Sequence, residues 1–177
     1  KLIMSSKKIL TIPDPVLRKK SDPVDLVDKK IKKLMDDMLE TMYDAPGIGL
    51  AAIQIGVAKR VVVMDLSKEN AKKSPLFFVN PKITWKSNVN AAYEEGCLSI
   101  PNQFAMIERP DKVKIKYLDY SGNEKEIKAE GLLATCIQHE IDHLNGILFI
   151  DHLSKLKKDL IIKKANKQKK EIDRVIV

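Results

Sequence analysis

The sequence predicts an α+β fold in which mixed β-strands surround a central helix, with a further helix near the C-terminal end. Three observations carry that expectation. Apolar residues recur at helical spacing over 28–43. Short β-type runs follow through the middle of the chain. The segment His139-Glu140-Ile141-Asp142-His143 is then flanked on both sides by apolar residues.

Each element has its own reason. Ile31, Leu34, Met35, Met38, Leu39 and Met42 fall on one face of a helix over 28–43, and their methionines read as core filler. Pro46 and Gly47 end that helix. Residues 60–65 and 76–80 are short β-type runs, the second expected to be flanked by Pro75 and Pro81. Val113-Lys-Ile-Lys-Tyr-Leu alternates as a half-buried strand does, and Ser121-Gly-Asn is a hairpin turn into Glu126-Ile-Lys-Ala. Leu153, Leu156 and Leu160 predict a basic C-terminal helix over about 154–170 with one packed edge.

At 177 residues the chain reads as one domain spanning residues 1–177, without internal repeats. No apolar run approaches the roughly 20 residues that cross a bilayer. The first residues lack a secretory apolar core and an arginine-rich transit pattern, and Met4 is the expected native start, after a three-residue remnant. The net charge of +8 is uneven. From Lys155 onward eight lysines and one arginine face three acids, a net of +6. That tail reads either as a solvated charged face or as a contact for a polyanion.

On a helix, His139 and His143 lie one turn apart and can close on one divalent metal, with Glu140 beside them to handle the proton of a water. A solvated helix carrying the same residues by chance is the bland alternative. The apolar stretches on both sides argue against it, because buried imidazoles and a carboxylate without partners would be destabilising. Two histidines leave a tetrahedral site short of a ligand. Phe149 stands where one large protease class has a third histidine, His152 lies outside that frame, and Glu171 sits in the lysine-rich tail. The third ligand is therefore sought upstream, among two cysteines. Cys136 and His143 are separated by roughly 10 Å of helix rise, too far to share an ion. Cys136 reads as a wall residue and Cys97, between Gly96 and Pro101, as the third ligand.

Three motifs, Gly47-Ile-Gly-Leu-Ala-Ala-Ile-Gln54, Glu95-Gly-Cys-Leu-Ser99 and Gln138-His-Glu-Ile-Asp-His-Leu-Asn-Gly146, stand in the order found in peptide deformylases. The chain resembles that family from about Ile9 to about Leu156. The resemblance implies the deformylase fold and hydrolysis of the N-formyl group from the initiator methionine of nascent polypeptides, releasing formate. It implies a divalent metal on Cys97, His139 and His143, usually ferrous iron, with zinc, nickel or cobalt found in preparations. Glu140 would act as general base and then acid, and the Gln54 side-chain amide and Leu98 backbone N–H would hold the developing oxyanion. Ile48, Tyr93, Leu132, Thr135, Cys136 and the His139 ring would line the methionine pocket. Thr135 replaces the usual aliphatic residue. Phe104 stands where many bacterial relatives carry arginine, which puts peptide preference beyond the first residue in question.

Arg109 matches a family arginine near the site. It is the expected partner of Asp142, read as buried, and is shared with Glu95. Gly47 and Gly49 leave backbone groups open, so a substrate is expected to pair as an added strand at Ile48 or Gly49. Relatives of similar length use the C-terminal helix to dock on the ribosome near the tunnel exit, which makes ribosomal RNA the partner expected for a polyanion contact. A monomer in a bacterial-type cytoplasm is expected, or an organelle if a transit peptide has been removed. Two other classes share part of the pattern: a zinc-type peptidase cutting internal bonds, and a non-catalytic ribosome-binding relative. The first lacks its downstream ligand, and the second would tolerate loss of Glu140 or Gln54, both present here.

Overall fold

The computed structural model describes residues 5–175; the suggested start at Met4 lies outside them. The chain runs through helix α1 (Lys29–Asp44), strands β1 (Gly49–Ala51), β2 (Val61–Met64), β3 (Leu76–Lys86), β4 (Asn90–Cys97), β5 (Ile100–Pro110), β6 (Lys112–Leu118) and β7 (Glu124–Glu130), then helices α2 (Gly131–Leu144) and α3 (Lys155–Val175). One antiparallel sheet has the order β1-β2-β3-β6-β7, and β4 pairs with β5 in a separate ribbon. This is the mixed α+β arrangement that the sequence predicts.

Sequence chemistry accounts for the layers. Val61, Val62, Val63 and Met64 are all buried, because β2 has a helix on each face. Val62 and Met64 join Ala134, Ile137, Ile141 and Leu144 of α2. Val61 and Val63 join Met35, Met38 and Met42 of α1. The Asp28 side chain caps α1 by accepting from the Ile31 N–H at 3.0 Å. Gly146 ends α2 in the left-handed region at φ 74°, where a Cβ would sit 2.3 Å from the Arg18 carbonyl. A third apolar cluster joins Ile12, Leu17, Ile100, Ile107, Leu148, Phe149, Ile150 and Ala165, tying the ribbon and α3 to the rest.

Three expectations change. Pro81 does not close the strand that starts at Leu76. The ladder slips between Val79 and Lys82, with Asn80 at φ 50°, so Pro81 sits where no donor is needed and β3 continues to Lys86. Of the leucine row, Leu153 packs on the third cluster, but the two leucines inside the C-terminal helix do not form its packed edge. Leu156 and Leu160 are 71% and 49% exposed, whereas Ile161, Ile162 and Ala165 face the third cluster. Spacing alone identifies a stripe, and the neighbouring stripe is the one that meets Ile12 and Leu17. Finally, β4 and β5 form strands where no strand pattern is legible. Gln103 and Arg109 of β5 are buried along with Ile107, while Phe104 and Met106 face out, so each face mixes polar and apolar residues.

Candidate active site

α2 brings His139, Glu140 and His143 into the interior, and the β4 end brings Cys97 over them. The donor atoms of Cys97, His139 and His143 lie within 4.8 Å of one another. Cys97 Sγ is 3.3 Å from His143 Nε2. One ion with bonds of about 2.0–2.3 Å can bridge such spacings. Cys136 lines the same cavity but stands outside this trio, and burial, with the Glu140 and Glu95 charges, pushes its thiol up to about 12. A thiol held protonated is a wall group and not a ligand.

The ligands are held from behind. Arg109 donates from Nε to Glu95 Oε2 at 2.7 Å and from Nη2 to Glu95 Oε1 at 3.0 Å, and its Nη1 reaches Asp142 Oδ2 at 2.9 Å. Arg109 thus joins both acids, and Arg109 and Glu95 are buried. His139 Nδ1 lies 2.8 Å from Glu95 Oε1, which turns its Nε2 toward the site. Burial opposes the Glu95 charge, but His139 and Arg109 outweigh it and hold the carboxyl below its ordinary range. Burial holds His143 well below its ordinary pKa, in the direction of the neutral imidazole that a metal requires. Asp142 is less enclosed than expected: its side chain is 20% exposed and also takes a 2.8 Å contact from His152 Nε2.

Glu140 is buried, and its Oε2 has no hydrogen-bond partner among the described residues. Its carboxylate rests on Gly49, where a Cβ would lie 2.7 Å from Oε1. A side chain here would displace the Glu140 carboxylate. Burial first, then the charges of Glu95 and Asp142, push Glu140 up to about 7, with His139 and Arg109 acting against them. A buried acid that finds no protein donor, beside one sulfur and two imidazoles, fits a dication well.

Gln54 sits in a short 3-10 helix after β1. Its Oε1 accepts from the Ala51 N–H at 2.9 Å, and its Nε2 donates to Ser99 Oγ at 3.0 Å and approaches Cys97 Sγ at 3.6 Å. The Leu98 N–H meets no acceptor among the described residues. Ile48, Gly49, Tyr93, Leu132, Thr135, Cys136 and His139 all line one cavity of about 540 Å³ that reaches Glu140. β1 is an edge strand, so the side of Gly49 away from β2 is open to another chain.

Sequence reading missed three supports. Ser99 is fully buried and orients Gln54; the serine type beside a cysteine motif is a weak signal. The ring of Phe149 stacks on His139, with centroids 6.1 Å apart and planes at 21°. His152 fixes the outer side of Asp142, a contact no local spacing reveals.

A family model described as polypeptide deformylase matches residues 6–159. A peptide deformylase of Pelagibacter ubique is 60% identical over 174 residues, covering 98% of this chain and all of the relative. One from Rhizobium meliloti is 58% identical over 94% of this chain and 96% of its own. The crystal structure of an Ehrlichia chaffeensis peptide deformylase in complex with actinonin superposes with a TM-score of 0.89 at 48% identity, covering 93% of this chain and 98% of that one.

Proposed function

The chain belongs to the polypeptide deformylase family, and from that premise we propose how its residues divide the work of hydrolysis. The chain is a metal-dependent hydrolase that removes the N-formyl group from nascent peptides. One observation carries the assignment of roles: Cys97, His139 and His143 converge beside a buried Glu140 oxygen that has no protein partner.

Cys97, His139 and His143 would hold the cation. When bound, it supplies a Lewis acid that polarises the formyl group and lowers the pKa of a water it holds. One thiolate and two imidazoles suit iron, zinc, cobalt or nickel, and the family resemblance favours ferrous iron in the cell. Glu140, whose buried Oε2 has no partner among the described residues, takes a proton from the attacking water and passes it to the leaving amine. The Gln54 Nε2–H and the Leu98 N–H donate to the formyl oxygen as its charge grows. Glu95, Arg109 and Asp142 position the ligands and touch no substrate.

The methionine side chain enters between Leu132, Thr135, Cys136 and the His139 ring, with Ile48 and Tyr93 at the rim. The peptide backbone pairs with β1 at Ile48 and Gly49. Residues 1–177 act as one domain, in which α3 is included through Ile161, Ile162 and Ala165. The chain acts as a monomer. The basic face of α3 docks on ribosomal RNA near the tunnel exit. No helix of the described residues is long and apolar enough to cross a membrane. Two free cysteines support a reducing bacterial cytoplasm.

Release of formate from formyl-Met-Ala peptides, run beside a blocked internal peptide, tests the reading. Formate appears and the internal bond stays intact. Cleavage of the internal bond would mark a peptidase, and no turnover of either a non-catalytic relative.

A further inference from the structure

A second cavity, of about 550 Å³, lies between the N-terminal segment 8–14 and α3. It adjoins the catalytic cavity: Ile9, Pro101 and Asn102 line both. The substrate is a polypeptide of which only the first residue is consumed, so the rest of the chain must leave along some path. We infer that the downstream part of the formyl-methionyl chain leaves the catalytic cavity across Ile9 and Asn102 and lies in the groove beside α3, bound as an extended strand.

Segment 8–12 is built for that contact. Leu10 and Ile12 donate their N–H groups inward, to the Gln54 and Ser99 carbonyls at 2.7 and 3.0 Å. In extended chain, successive N–H groups point to opposite sides. The N–H groups of Ile9 and Thr11 therefore face away from those partners, and neither meets an acceptor among the described residues. Both residues line the groove. Unpaired backbone donors at alternate positions are what an added strand needs.

The opposite wall suits a chain of any sequence. Ala165 and Ile172 supply apolar surface, and Ile172 is 60% exposed, with nothing among the described residues to cover it. The charged lining residues carry both signs, Lys8 and Lys169 against Asp14, Glu171 and Asp173, so neither acidic nor basic peptides are excluded. Recognition through main-chain bonds and a plain apolar wall would retain most nascent chains without selecting among them.

This rests on the deformylase reading, and peptide length separates the two. Formyl-Met-Ala-Ser and the same sequence extended to ten residues are compared with the native chain and with Ile172→Asp, which alters an exposed groove residue remote from Glu140. The longer peptide shows a KM lower by about fivefold at unchanged kcat, the scale of one or two net hydrogen bonds. Ile172→Asp removes that gain and leaves the tripeptide unaffected. A decapeptide N-methylated on alternate downstream amides loses the gain with the native enzyme, where folding is not in question. Length-independent KM, or an equal effect of Ile172→Asp on both peptides, overturns the groove. A concentration-dependent dimer dissolved by Ile172→Asp, with no length effect, would assign the groove to a second copy and also overturn it. Failure to release formate from either peptide would instead strike the catalytic assignment.

Discussion

α2 and α3 follow one another in the chain and show opposite uses of a helix. α2 buries ten of its fourteen residues, among them two histidines, a glutamate and a glutamine. α3 has 21 residues, and Ala165 is the buried one among those described. Each polar group of α2 was removed from water and had to be answered by another group. Glu95 answers His139, Arg109 answers Asp142, and the Pro110 carbonyl accepts from Gln138 at 2.9 Å. Among the described residues, Glu140 Oε2 and His143 Nδ1 are fully buried side-chain atoms of α2 left without such an answer. In α3 the lysines remain hydrated and little is asked of their neighbours. A substitution in α2 should therefore disturb chemistry or folding, and one on the exposed lysine face of α3 should disturb association alone.

Glu140→Ala tests the first half of that contrast most sharply. Turnover of formyl-Met peptides falls by about 10²–10⁴-fold, the range supplied by a general acid–base group, while elemental analysis finds metal still bound. Cys97→Ser behaves differently and loses or exchanges the metal, whereas Cys136→Ser retains it. Metal lost with Cys136→Ser but kept with Cys97→Ser would overturn the ligand assignment.

Arg109→Met moves one step away from the reacting atoms. It leaves Glu95 buried with one partner fewer, and breaking a buried pair in this way is destabilising by about 3–5 kcal/mol. Urea unfolding of the metal-free protein measures it. A midpoint like that of the native chain would show that the Glu95–Arg109 pair does not hold the site together.

Asp151 sits where the two regimes meet, since Arg18 and Lys158 of α3 both pair with it. Burial opposes its charge, but Arg18, Lys158 and the Leu148 N–H outweigh burial and hold its pKa at about 2 against an ordinary 3.8. Because the folded value is the lower one, the carboxylate stabilises the fold above pH 3.8, and that contribution fades as pH falls through about 2. Asp151→Asn therefore lowers stability at pH 7 by on the order of 1–2 kcal/mol. The gap between mutant and native closes in acid, which thermal melts at pH 7 and pH 2 would follow.

The smallest effect on turnover and folding is expected on the outer face of α3. Lys163, Lys164, Lys167 and Lys170 are exposed. Changing all four to Glu leaves turnover of short peptides and thermal stability unchanged. Ribosome affinity falls, and its log–log salt slope flattens by about one unit for each phosphate that is no longer neutralised. If affinity survives the reversal at low salt, the basic helix is only a solvated face.

Much of this was open to reading in one dimension because it is local. The His139–His143 pair is a property of helix pitch, and the exclusion of Cys136 follows from helix rise. The alternation in β6 and the apolar stripe of α1 needed nothing beyond their own residues. Strands β4 and β5 were not legible, because the inner face of their ribbon is a polar site. Glu95, Gln103 and Arg109 point in, and Phe104 and Met106 point out. Polar residues interrupt the hydrophobic alternation that normally reveals a strand, although Ile100 and Ile107 also face inward, and the reason for the interruption lies on a different element.

What the sequence determined alone, then, was the set of groups able to perform the chemistry, together with the short-range spacing that places them on α2. The tertiary structure decided their surroundings. It chose the Ile161–Ala165 stripe of α3 over the leucines, joined Arg109 to acids on two elements, and set Gly49 beneath Glu140. Periodicity tells which residues share a face but not which face finds a partner. That choice is made by burial and by the pairing of desolvated charges, and both depend on residues far apart in the chain.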